Sequence, residues 1–289
     1  MSRKRTHDNS DKDMDSGEDS NRELDNEEEE SGADSDAGSE PDEKEIVDVD
    51  FEFFDPKPID FHAMKRMLMS AFGDDAEDFS LSALVDLILS QNTIGSTVKF
   101  EGDDDPYAFL TVLNMHAHAD KEPIRQIKDY LLKKAEKRGS SAKLSEIFDG
   151  PGHVGLLLSE RVVNMPPQVV APMLKMLVEE LEWAVADGEP YDFEHYVLLA
   201  PMYRETEAAD DEGVKRTAPV IDAYAHAEDE FIEEFAGTKF DYKFSRSKRV
   251  AESRNSFADT GLAPSRRCLV IHRSKMPALI ARLESALAM

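Results

Sequence analysis

Glu160 and Arg161 close an unbroken apolar run, Val154-Gly155-Leu156-Leu157-Leu158, and stand just ahead of the double proline Pro166-Pro167. An apolar run of this length reads as a buried strand, and ligands of open α/β sheets gather where such strands end. Two chemistries fit the charged pair: a structural ion pair or helix-capping contact, or, with Asn164, a patch that touches a partner. Adjacent residues of an extended segment point to opposite sides, so both cannot enter one pocket unless the chain turns.

Other reactive residue types carry weaker signals. His116 and His118 lie two apart in a predicted strand and would share a face, yet no Asp, Glu or Cys at a ligand spacing supports a metal there. Asp11-Lys12-Asp13-Met14-Asp15 imitates the start of a calcium loop, but the glycine falls one place late and Arg22 stands where a bidentate Glu is required. Cys268 sits in the apolar stretch Cys-Leu-Val-Ile and reads as a small buried hydrophobe rather than a nucleophile. Serine-nucleophile, zinc-protease and phosphate-loop signatures are missing. Neither a catalytic residue nor a bound cofactor or metal is expected.

The elements that must position these residues follow from periodicity. Val47, Val49, Phe51 and Phe53 alternate with Asp48, Asp50 and Glu52, predicting a first strand with one buried face. Helical spacing follows from Phe61 to Phe72 and again after Ser80. Thr93–Glu101 and Ala108–Met115 read as strands joined by Gly102-Asp103-Asp104-Asp105-Pro106, which puts three carboxylates at a hairpin tip. They form either a solvated loop or part of an acidic docking surface. A helix is predicted from Pro123 to about Lys137, a short one at Leu144–Phe148, and a long one ending near Ala186 that starts or kinks at Pro172. A strand at Tyr196–Pro201, an insertion loop over 204–217, and a helix from Pro219 to Phe235 carrying Glu228, Asp229 and Glu230 on an acidic flank come next. Strands at Lys239–Phe244 and Cys268–His272, separated by a basic and polar loop, and a helix at Met276–Leu287 complete the pattern. The alternation argues for one α/β domain, three-layer, with a mixed central β-sheet flanked by helices.

Composition separates a tail from this domain. Residues 1–45 hold 18 acidic against 6 basic residues, a net of -12, with Leu24 the one branched aliphatic side chain. Such a segment cannot bury enough apolar area to offset about 1–2 kcal/mol of ordering entropy per residue, so a disordered acidic tail over 1–45 and a folded domain over 46–289 are expected. A flexible tail of that length sweeps about 40 Å, enough to reach over the domain and shield a basic ligand. Ser10, Ser16, Ser31 and Ser39 each have an acidic residue three places on, the pattern of acidophilic kinase sites. Arg3-Lys4-Arg5 could begin a nuclear import signal. The whole chain carries a formal charge of -27, which disfavours direct nucleic-acid binding and favours basic partners. One cysteine rules out an intramolecular disulfide, and no apolar run approaches the roughly 20 residues of a membrane span. A monomer in a reducing nucleus or cytosol is the expectation.

Val154 to Leu177, with Val-Gly-Leu-Leu-Leu-Ser-Glu-Arg followed by Asn-x-Pro-Pro-Gln-x-x-x-Pro-Met, resembles the signature of the BCCIP family of nuclear proteins. Gln91-Asn92-Thr93-Ile94-Gly95-Ser96-Thr97-Val98-Lys99, Val49-Asp50-Phe51-Glu52-Phe53 and Ala227-Glu228-Asp229-Glu230-Phe231 resemble further blocks of the same family. The resemblance implies a fold like the GNAT acetyltransferases in a noncatalytic binding protein. It also implies nuclear escort work: a chaperone for a basic ribosomal protein of the large subunit and, in fungi, export of a phosphatidylinositol phosphate kinase, with shuttling to the cytoplasm. Acetyltransferases cradle a pyrophosphate on the amides of a Gln/Arg-x-x-Gly-x-Gly/Ala loop that opens a helix. Here Val162–Gln168 offers no glycine and two prolines without amide donors, which argues against acetyl-CoA. Partner contact is therefore assigned to Asp103, Asp104, Asp105, Glu160, Arg161, Asn164, Glu228, Asp229 and Glu230. The rival readings are a divergent acetyltransferase and a histone-directed acidic chaperone.

Overall fold

The structure is a computed structural model that describes residues 51–91, 93–100, 102–205, 222–246 and 262–288. The acidic segment 1–45, Val47 and Val49 of the first strand, most of the insertion at 204–217, and Pro219 lie outside the described residues. So does the greater part of the basic loop.

Among the described residues eight strands form one mixed sheet: β1 (Phe51–Phe54), β2 (Ser96–Phe100), β3 (Ala108–Asn114), β4 (His153–Arg161), β5 (Phe193–Glu205), β6 (Asp222–Tyr224), β7 (Thr238–Lys243) and β8 (Leu262–His272). Their order is β1-β2-β3-β4-β5-β8-β7, with β6 paired to β5 off that path. Among the described residues, β4 and β5 make the one parallel pair. Their connection is α5 (Val170–Ala186), the crossover length a parallel pair requires.

Period-2 alternation sends the strands' two faces into two cores. Leu156, Leu158, Val197, Leu199, Cys268 and Val270 pack under α1 (Phe61–Phe72), α2 (Leu81–Leu89), α3 (Glu122–Glu136) and α4 (Ser141–Asp149). Leu157, Tyr196, Leu198, Leu269 and Ile271 face the other way, onto α5, α6 (Ala227–Glu233) and α7 (Met276–Leu287). The expected three-layer mixed α/β architecture is present. Central strands covered on both faces must be apolar throughout, which is why β4 reads as a continuous run.

Pro172 occupies the first turn of α5, where its missing amide has no intrahelical partner to lose, so the helix starts there rather than kinks. A 3-10 turn at Pro167–Val169 leads into it. Gly95 ends the approach to β2 at φ +106, and a Cβ there would lie 2.5 Å from the Leu110 carbonyl oxygen. Gly155 permits the close packing of β4, since a Cβ would meet Val112 Cγ2 at 2.6 Å.

Several expectations are corrected. Residues Asp222–Tyr224 form a strand against β5, so among the described residues of the predicted helix only Ala227–Glu233 is helical. Tertiary pairing to the edge of β5 outweighs helical spacing at Tyr224. Strand β8 begins at Leu262, within the predicted loop, because an eleven-residue antiparallel register to β5 extends it. Phe53 is 37% exposed on an edge strand, against the predicted burial. His116 and His118 follow β3 in a turn rather than in a strand, where Asn114 Oδ1 accepts from the amides of His116 and Ala117.

Candidate functional site

Strands β4 and β5 run side by side only from His153 to Leu157 on one and Phe193 to Leu198 on the other. Beyond that they part. One edge of β5 is taken by β8 along its length, so β4 and β6 share the other edge: β4 beside Phe193–Leu198, β6 beside Met202–Arg204. The segment β6–α6 thus fills the gap that the diverging strands open. A cleft of about 560 Å³ remains there, lined by Glu160, Arg161, Val162, Val163, Pro201, Met202, His226 and Arg266 among others.

Arg161 holds the filling segment in place. Its Nε donates to Glu228 Oε1 at 2.8 Å and its Nη2 to Glu228 Oε2 at 3.0 Å, a bidentate pair with both side chains buried. Nη1 donates to the Met165 carbonyl at 2.6 Å and so pins the loop that follows β4. Glu228 and Asp229 stand in the first turn of α6, where the unpaired amides and the helix dipole favour negative charge.

Charge in this pocket is rationed by burial. Burial pushes the Glu160 carboxyl up to about 7, against the pull of the Arg266 guanidinium. Asp229 is raised well above the ordinary range by burial and then by the neighbouring Glu228 and Glu160. Its Oδ2 takes no hydrogen bond from the described residues. Burial also drives His226 down to about 4, leaving it a neutral imidazole. Arg266 donates from Nε to the Ala71 carbonyl and from Nη2 to the Ser70 carbonyl, satisfying the C-terminus of α1 while its charge faces Glu160.

The residues singled out from sequence divide into two groups. Glu160 and Arg161 line the cleft, and Glu228 and Asp229 lie against them. Glu228 and Asp229 are buried behind the lining residues Arg161 and His226 and do not present an acidic flank to solvent as expected. A run of three acids looked solvated, but the Arg161 partner and the helix N-terminus take two of them inside. Asn164 and Glu230 are exposed. Asp103, Asp104 and Asp105 are exposed at the hairpin tip, where Asp103 accepts from the Tyr107 hydroxyl at 2.5 Å and Asp105 pairs with Arg66 at 3.0 Å. His226 and Arg266 were missed. The signal available for Arg266 was its place one residue before another arginine at the mouth of an apolar strand.

What the arrangement can do chemically is limited by its donors. The passage from β4 to α5, which could cradle an anionic cofactor, has no glycine and includes Pro166 and Pro167 without amides, and the Met165 amide is spent on the Val162 carbonyl. Cys268 is buried and its thiol is pushed upward by that burial, so it stays protonated. Among the described residues, no helix is long and apolar enough to cross a membrane.

A family model described as BCCIP matches residues 46–232. The chain belongs to the BCCIP family. Protein BCP1 of Gibberella zeae is 40% identical over 250 residues, covering 84% of this chain and 88% of that relative. Protein bcp1 of Schizosaccharomyces pombe is 40% identical over 254 residues, covering 83% and 90%. The crystal structure of BCP1 from Saccharomyces cerevisiae superposes with a TM-score of 0.59 at 27% identity, covering 86% of this chain and 93% of that one. The BCCIP match spans Glu160, Arg161, Glu228 and Asp229 alike, so the whole ion-pair cluster lies within the family's own region.

Proposed function

We propose that this BCCIP-family protein is a noncatalytic nuclear escort that binds and shields a basic ribosomal protein of the large subunit. The observation that carries this reading is charge: -27 over the chain, of which -12 lies in residues 1–45. A client evolved to bind RNA phosphates presents clustered Lys and Arg, and an acidic partner screens them until RNA replaces it. Asp103, Asp104, Asp105, Asn164 and Glu230 are the exposed members of the contact set, and the acidic tail adds to the encounter rate. Glu160, Arg161, Glu228 and Asp229 serve by shaping the cleft beside them. Export of a phosphatidylinositol phosphate kinase, and shuttling between nucleus and cytoplasm, belong to the same escort reading. The GNAT-like fold that the family resemblance implies belongs to the same reading.

The decisive measurement is the affinity of the full chain, and of a chain lacking residues 1–45, for large-subunit ribosomal proteins at low and high salt. Tight binding by the full chain, weakened by salt and by tail removal, is the expected result. No binding by either chain sinks the proposal. Competition with histones decides whether the acidity serves ribosomal proteins or histones.

One observation favours the enzyme alternative, a divergent acetyltransferase. Glu160 titrates near neutrality in a cleft, as a general base does. Against it stands the missing amide cradle. Calorimetric titration with acetyl-CoA separates the two, since the enzyme requires measurable heat of binding.

A further inference from the structure

At the opposite end of β5 a different cluster forms. His195 of β5 and His272 of β8 are register partners across an antiparallel pair, with ring centroids 5.2 Å apart. Glu194 is the next residue back, and in a regular strand it would point to the other face. The strand is not regular here. His153 pairs with Phe193 while Val154 pairs with His195, so Glu194 is an extra residue, a β-bulge in the parallel pair. The bulge turns its carboxylate to the histidine side, and donor atoms of Glu194, His195 and His272 all lie within 4.8 Å of one another.

The surroundings suit a ligand set. Gly152 leaves room for the carboxylate: a Cβ at that position would lie 1.8 Å from Glu194 Oε2. Among the described residues, neither the Glu194 carboxylate nor the His195 ring takes part in a hydrogen bond. The His195 ring is half-buried at the edge of the cleft, beside the Glu194 carboxylate and the His272 ring. His272 Nδ1 accepts from the Ser274 amide at 3.2 Å and lies 2.8 Å from Ser274 Oγ, so a metal at His272 displaces the Nε2 proton or takes the place of the amide at Nδ1. All three residues line a cleft of about 410 Å³ between α4 and the sheet, which also contains Glu146.

We propose that Glu194, His195 and His272 bind a divalent transition-metal ion of the zinc class, with coordination positions left open toward the cleft. Two imidazoles and one carboxylate are the donor set that suits zinc and its neighbours and that disfavours magnesium or calcium, which take oxygen ligands. Bonds of about 2.0–2.2 Å put tetrahedral ligands roughly 3.4 Å apart. Rotation of the exposed Glu194 and His272 side chains closes the difference from 4.8 Å.

The test is titration of the chelator-stripped full chain with Co(II), followed by its visible absorption, and then displacement by Zn(II). One equivalent should bind with bands characteristic of tetrahedral or five-coordinate nitrogen ligation, and Zn(II) should remove them while Mg(II) does not. Glu194→Gln and His195→Gln should each weaken binding by at least about tenfold. Gly152→Ala, which alters no ligand but displaces the carboxylate, should weaken it as well. Glu194 is exposed, so its variant keeps the fold even if the substitution at His195 does not. Absence of cobalt bands in the wild type, or the same affinity in Glu194→Gln and wild type, overturns the proposal and assigns any residual binding to the acidic surface.

Discussion

Arg161 and Glu228 are each other's reason for being buried. Removing one partner leaves an uncompensated charge in low dielectric, so Arg161→Met should cost about 3–5 kcal/mol of stability in urea unfolding. The double variant Arg161→Met with Glu228→Leu should lose markedly less, because no charge is stranded. Glu160 gives a pH signature. Its folded pKa of about 7 stands above the ordinary 4.5, so the folded chain binds the extra proton and stability falls as pH rises from about 4.5 through 7. His226, at about 4 instead of 6.5, works in the other sense: stability falls as pH drops from 6.5 toward 4. The two partly cancel between these limits. Glu160 faces Arg266 of β8 and Asp229 of α6, and burial with the neighbouring carboxylates raises the Asp229 carboxyl as well. Glu160→Gln should therefore match the wild type near pH 4.5 and exceed it by about 1–3 kcal/mol at pH 8, read from thermal or urea unfolding. It should also expose the His226 slope below pH 6.5.

Elements of this fold are fixed by a few positions where backbone and side chain crowd. Gly95 adopts φ +106 against the Leu110 carbonyl, and its amide donates to Glu180 Oε2 at 2.7 Å, tying the start of β2 to α5. Gly95→Ala should cost about 2–4 kcal/mol in denaturant unfolding, from strained backbone plus overpacking. Most elements were legible from periodicity, because α1, α3, α5 and α7 each bury one apolar face and the central strands bury both. The failures fall where pairing is non-local. Strand β6 and the first half of β8 are polar enough to read as loop or helix flank, and only the edges of β5 make them strands. Glu160 and Arg161 were legible as a strand-end pair, but the residue that answers Arg161 lies 67 positions away. The bulge at Glu194 gave no sign in the sequence, since two histidines 77 residues apart share no local pattern.

On the scale of the molecule, charge dominates the expected behaviour. If the escort reading holds, raising the salt from low to a few hundred millimolar should slow association with a basic ribosomal protein on the order of tenfold, and deleting residues 1–45 should reduce that salt effect. Stopped-flow kinetics using the single tryptophan, Trp183, 68% exposed on α5, offers an intrinsic signal for both chains. A tail that contributes nothing would leave the two salt profiles superimposable.

The sequence by itself determined the three layers, the buried strand at β4 and the acidity, since composition and periodicity act locally or sum over the chain, and its motifs carried the resemblance to the BCCIP family. Only the tertiary structure decided that Glu228 and Asp229 turn inward and that Glu194 joins two histidines. Burial of a charge and the aim of a side chain depend on what arrives from elsewhere in the chain. In this protein the arrivals are α6 against Arg161 and β8 against β5.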